Sequence, residues 1–202
     1  MLILMDVILI LCIILLVYCI FYGENVYVKS PNDGNVYIIR RGHTKSQEFL
    51  TNSANTLAEI NARVEKLISY LNLYKNDTSK NYFIKKLRDN YKYSILSEAA
   101  IDTRYTTYTV DKEDMHICLR TRDQNDKIYD TNTLMYVVLH ELSHLCNYTP
   151  DGTAIIGHGD EFRMIFRFLV HEAVNIGIYD YVDYTRTPKN YCGLFISTQI
   201  LN

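Results

Sequence analysis

Residues 138–144 read Val-Leu-His-Glu-Leu-Ser-His. On an α-helix, positions i and i+4 share a face, so His140 and His144 can aim both imidazoles at one ion. Glu141 stands between them, where its carboxylate can take a proton from a water at that ion. With 6 histidines in 202 residues, this spacing arises by chance in about one such sequence in a hundred. The surroundings suit a helix: Asp130, Thr131 and Asn132 offer N-caps, and apolar residues continue to about Cys146.

The H-E-x-x-H spacing is that of zinc hydrolases, whose ion needs a third protein ligand and one open position. His158 is the leading candidate. It follows His144 by fourteen residues, beyond a Thr-Pro-Asp-Gly turn, and Gly157 and Gly159 let the backbone come close. Glu161 and Glu172, on the segment that follows, are rival ligands. Asp160 can cap that segment or orient a ligand imidazole. His43, His116 and His171 have no partner at ligand spacing. Cys146 and Cys192 lack the His/Asn arrangement that a thiol nucleophile needs.

Outward from this motif, Phe162, Ile165, Phe166, Leu169, Ala173 and Ile176 share one helical face that Gly177 can end. Upstream, Leu50, Ala54, Leu57, Ile60, Val64, Leu67, Ile68 and Leu71 define a longer helix, with Thr44 or Ser46 as cap. A short helix is predicted over Tyr82–Leu87. Alternation predicts strands at Tyr105–Val110 and Met115–Leu119, the second able to align an extended substrate. Asp33-Gly34 predicts a hairpin turn between Val26–Lys29 and Val36–Arg40. The last twenty-five residues read as irregular.

Residues Leu2–Tyr22 are apolar except Asp6. Twenty-one helical residues span about 30 Å, so a transmembrane anchor is expected over 1–22. The flanking Lys29, Arg40 and Arg41 then place the remainder in the cytoplasm. Outside that segment Cys118, Cys146 and Cys192 are odd in number, which favours reduced thiols. Sequons occur at Asn76 and Asn147. The net charge of −2 gives no global field for nucleic acid, and Lys80, Lys85, Lys86, Arg88 and Lys92 read as a solvated helix face.

His140-Glu-Leu-Ser-His144 followed by His158-Gly-Asp-Glu-Phe162 resembles the H-E-x-x-H…H-G-x-x-F pattern of WLM and SprT-like zinc metallopeptidases. The similarity is greatest to WLM-type metallopeptidases of large nucleocytoplasmic DNA viruses. Those carry stretches like 28–37, Ile117–Arg120 and 182–193 of this chain. The 144–158 interval is longer than is typical of WLM proteins, and the DNA- and ubiquitin-binding extensions of cellular members are absent. The resemblance implies His140, His144 and His158 as ligands of Zn2+ and Glu141 as the catalytic residue.

The expected fold class is therefore α+β, a zincin-like metallopeptidase domain with a small sheet and the H-E-x-x-H helix. Its expected organisation is an anchor at 1–22, a β-hairpin and linker at 23–45, and the metallopeptidase domain at 46–202. The expected function is zinc-dependent hydrolysis of peptide bonds in a protein or peptide substrate. Glu141 serves as general base, and Tyr184 or Tyr191 is the candidate for the oxyanion. The alternative is a membrane-anchored structural or virion protein whose zinc is not catalytic.

Overall fold

The structure, a computed structural model, describes residues 2–22, 24–43, 46–101, 106–198 and 200–201; for 2–4 and 17–22 it describes the backbone alone. The first helix, α1, covers Leu2–Tyr22. The membrane anchor expected there is not supported: among the described residues, no helix is long and apolar enough to cross a membrane.

The Asp33-Gly34 turn forms as its residues require. Gly34 takes φ +75°, its N–H donates to the Ser30 carbonyl at 2.9 Å, and the Asp33 carboxylate accepts from Asn35 N–H at 3.0 Å. It joins β1 (Asn25–Lys29) to an antiparallel β2 (Val36–Arg40). Helix α2 (Gln47–Leu71) buries the face its periodicity predicts, including Leu57, Ile60, Val64 and Leu67. Ser46 is its cap residue, while Thr44 lies outside the described residues. Helix α3 covers Thr78–Asn90, four residues earlier than its apolar residues suggest, because the Asp77 side chain caps it by accepting from Ser79 N–H at 3.0 Å.

Three short strands complete the sheet: β3 (Leu96–Glu98), β4 (Tyr108–Val110) and β5 (Asp114–Ile117). Tyr105, the expected start of β4, lies outside the described residues. The order is β1-β2-β3-β5-β4, with β2, β3 and β5 parallel and both outer strands antiparallel to their neighbours. The hairpin over 25–40 is thus an edge of this sheet, continuous with the rest through the Ile38–Ser97 pair. Helices α4 (Thr131–Leu145) and α5 (Asp160–Asn175) pack against each other, and α4 also contacts α2, α3, β4 and β5. The tail, expected to be irregular, contains a hairpin of β6 (Lys189–Tyr191) and β7 (Leu194–Ile196). The architecture is α+β with a mixed sheet.

Arg40, read from sequence as one of the basic residues flanking the expected anchor, is buried. It belongs to a charge quartet that ties β2 and β3 to the loop after β5. Arg120 grips Glu98 through two nitrogens at 2.5 and 2.7 Å, and Arg40 reaches Asp126 at 3.3 Å. All four side chains are buried, and burying charges of this kind requires that opposite charges offset one another, as the two arginines and two carboxylates do here. Gly42, at φ +67°, fits against them because a Cβ there would lie 2.6 Å from Arg120 Nη1.

Candidate metal centre

Helix α4 starts where the Asp130 carboxylate accepts from Thr133 N–H at 2.9 Å. Its Leu134, Val138, Leu139, Leu142 and Leu145 are fully buried, which fixes its rotation and turns His140 and His144 together to the opposite side. At its C-terminal end the chain makes a tight excursion. Thr149 N–H donates to the Thr153 carbonyl at 2.9 Å, and Ile155 N–H returns to the Asn147 carbonyl at 2.9 Å. Gly157 takes φ +86°, and His158 arrives beside the other two histidines.

The three Nε2 atoms form a small triangle: 3.2 Å between His140 and His144, and 3.0 Å from His158 to each. Two ligands at 2.0–2.1 Å from a tetrahedral zinc lie about 3.3 Å apart, so the triangle is close to one face of such a site. The ring of Phe162 lies 4.3 to 4.9 Å from all three imidazoles and packs them together. Burial, reinforced by the neighbouring imidazoles His144 and His158, pushes His140 down to about 3. Burial also takes His144 down to about 4, followed in effect by His158 and Lys112. Both rings are then neutral near pH 7, the form that coordinates a metal. Converging lone pairs on neutral rings repel one another unless a cation lies between them, so this donor set fits zinc.

Glu141 does not join the triangle. It is buried beside it, and its Oε2 accepts from the Thr109 hydroxyl on β4 at 2.8 Å. Burial lifts its carboxyl to about 7, with the Thr109 bond opposing. Sequence alone did not single out Thr109, because a lone threonine on a short strand carries no motif. The turn after β4 adds a second restraint. Asp111 and Lys112 both have left-handed backbones, with φ of 49° and 60°, which aims the Lys112 ammonium at the carbonyls of His144 and Asn147. A cation there complements the C-terminal end of the α4 dipole.

The rival ligands point elsewhere. Glu161 accepts from the Tyr82 hydroxyl of α3, and Glu172 is buried beside His171 at 2.9 Å. Asp160 is exposed and pairs with Arg163 at 3.1 Å, so it orients no ligand imidazole. His116 bonds to Ser97 at 2.7 Å, and the His43 backbone donates to Asp126 at 2.5 Å. The strand expected to align a substrate, β5, is flanked on both sides by β3 and β4; the outer strand is β4.

Two compartments open from this centre and meet at Thr107, His140, Glu141 and His158. One, about 640 Å³, runs along β4 past Lys112 and Ile156. The other, about 580 Å³, lies between α4, α5 and the β6–β7 hairpin. Tyr191 lines the latter, its hydroxyl 2.5 Å from Thr107 Oγ1. Tyr184 is buried against Tyr136 and lines neither. A disulfide joins Cys118, just after β5, to Cys192 at the hairpin turn. That bond corrects the expectation of reduced thiols for this pair, while Cys146 is free and buried.

Comparison with known proteins places this arrangement in a viral group. The chain is 35% identical over 182 residues to uncharacterized protein R325 of Acanthamoeba polyphaga mimivirus, covering 89% of this chain and 86% of that one. It belongs to the R325 family. Two uncharacterized iridescent virus proteins are similar to about half of the chain. Protein 042R of invertebrate iridescent virus 3 is 46% identical over 92 residues, 44% of this chain and 50% of that protein. Protein 136R of invertebrate iridescent virus 6 is 31% identical over 101 residues, 49% of this chain and 52% of that protein. No family model matches the chain, and no solved structure does. The R325 family thus supplies a viral context, and the chemistry has to be argued from the site.

Proposed function

We propose that this protein is a zinc-dependent peptidase of the WLM/SprT-like kind, with His140, His144 and His158 as ligands and Glu141 as general base. The observation that carries the reading is the triangle of Nε2 atoms, 3.0 to 3.2 Å on a side, with a buried carboxylate beside it in an open cleft. Zinc bound there would supply Lewis acidity, polarising a substrate carbonyl and making water easier to deprotonate. The protein's own groups do the rest. Glu141, lifted towards neutrality, accepts the proton of the attacking water and hands it to the leaving amine. Thr109 holds that carboxylate in place at 2.8 Å. An extended peptide would lie along the outer strand β4 and across both compartments. Tyr191, steadied by Thr107, is the tyrosine positioned to meet charge developing on the carbonyl oxygen.

Glu141→Gln tests this directly. The amide keeps the shape and the Thr109 contact but cannot take a proton. Zinc content and thermal stability should match wild type, while self-cleavage and cleavage of a broad peptide library fall by about 10² to 10⁴. Equal rates in the two proteins, with zinc bound in both, would leave a non-catalytic zinc site as the better account.

A further inference from the structure

The two compartments differ in chemistry. The β4 side carries the charged Asp111 and Lys112 beside Tyr108, Ala154, Ile155 and Ile156. Among the described residues, the other is walled by Tyr136, Val137, Phe166, Leu194 and Ile196, and its charged lining residues are Glu141 and Arg163. Arg163 is turned outwards, with its guanidinium at Asp160. Tyr136 and Phe166 pack ring against ring at 5.3 Å to close the back of the space. The hairpin forms its outer wall and is pinned three ways: by Cys118–Cys192, by Cys192 N–H donating to the Tyr129 hydroxyl at 2.9 Å, and by Tyr191 against Thr107. Such a wall is preformed and does not depend on a ligand to assemble it.

We propose that this compartment is a recognition pocket for one bulky aliphatic or aromatic side chain next to the bond being cut. Val137, one helical turn before Glu141, sets its size. The proposal rests on the peptidase reading above and names the substrate class for that site. A charged side chain entering this space would lose its hydration against Tyr136, Val137 and Phe166, which disfavours it more strongly than a small side chain. A side chain of four or more carbons replaces water against Tyr136, Val137 and Phe166. Removing that much apolar surface from water tightens binding by about 10- to 100-fold.

The test uses the full-length protein loaded with zinc and reads equilibrium binding of two hydroxamates, independently of turnover. One is acetohydroxamate; the other, 3-phenylpropionohydroxamate, differs by its apolar arm. The phenyl compound should bind at least about 10-fold more tightly to wild type. Val137→Phe should reduce that advantage to below about 3-fold and leave acetohydroxamate binding unchanged. Leu194→Ser, at an exposed hairpin position, should weaken only the phenyl compound and guards against a folding defect in the first variant. Cleavage sites in a peptide library should carry a bulky apolar residue at one fixed position beside the cut. Equal affinity for the two hydroxamates, or a preference for charged residues at that position, overturns the pocket assignment. Failure of both hydroxamates to bind the zinc-loaded protein instead counts against the peptidase reading itself, because no coordination position would be open.

Discussion

The Cys118–Cys192 bond allows a quantitative expectation. It links residues 74 apart in sequence, so the unfolded chain carries a closed loop that includes α4, the return segment and α5. Chain entropy for a loop of that length gives an upper limit of about 4.5 kcal/mol, and measured values for native disulfides usually fall at about 2–4 kcal/mol. In the double variant Cys118→Ala/Cys192→Ala the hairpin keeps its Tyr129 and Thr107 bonds, and the histidine triangle touches neither sulfur. Zinc stoichiometry should therefore stay the same while global stability falls. Urea unfolding of the metal-free proteins provides the assay. With a slope of about 2 kcal/mol per molar, the midpoint should drop by about 1–2 M. The slope should also rise, because the unlinked chain exposes more surface when it unfolds. Burial protects Cys146 only in the folded protein, so the unfolding is run at about pH 5, where exposed thiols stay protonated and exchange with the disulfide slowly. Midpoints and slopes that agree between wild type and variant would show that the bond does not constrain the unfolded chain.

Further expectations concern the ligands and their supports. His158→Ala should sharply reduce zinc retention during dialysis, whereas Glu161→Ala and Glu172→Ala should retain it; the reverse pattern would move the third ligand to a carboxylate. Asp130→Ala should cost about 1 kcal/mol in thermal or urea unfolding by removing the α4 cap. Partial burial raises the Asp130 carboxyl, but hydrogen bonds from Lys189 and Thr133 outweigh it and hold the group below the usual carboxylate range. Its folded pKa is therefore depressed. The contribution is present in full above the unfolded value and fades as pH falls through the folded one, so wild type and Asp130→Ala should converge in stability under strong acid. Arg120→Met should destabilise by about 3–5 kcal/mol by leaving Glu98 buried without its partner, and adding Glu98→Leu should recover most of that loss.

The helices and the clustering of the histidines were legible because their signals are local. The three- and four-residue spacing from Leu50 to Leu71 survives in the buried face of α2, and the i, i+4 histidines need only the rotation of one helix. His158 was legible because Gly157 and Gly159 mark a backbone that must bend closely. What was not legible depends on pairing across the chain. Three-residue strands such as β3 and β6 have no periodicity to detect, and whether β5 is central or at an edge is decided by β3 and β4. Arg40 looks like any surface arginine until Glu98 and Asp126, 58 and 86 residues away, close over it. The same is true of Cys118 and Cys192. An odd count of cysteines carries no information about which two the fold brings together.

Asn147, the first residue of an Asn-Tyr-Thr sequon, has no exposed surface, and neither atom of its side-chain amide has a hydrogen-bond partner among the described residues. Its carbonyl holds Ile155 and accepts from Lys112, so it anchors the excursion that returns His158 to the other two histidines. A glycan cannot be accommodated there without opening the whole 147–155 excursion. Where this chain meets a glycosylating enzyme, modification and folding are therefore competing fates. Closure of the excursion removes the acceptor, and prior attachment of sugar blocks closure and with it the return of His158 to His140 and His144. Any glycan found at Asn147 would mark the molecules that never brought the three histidines together.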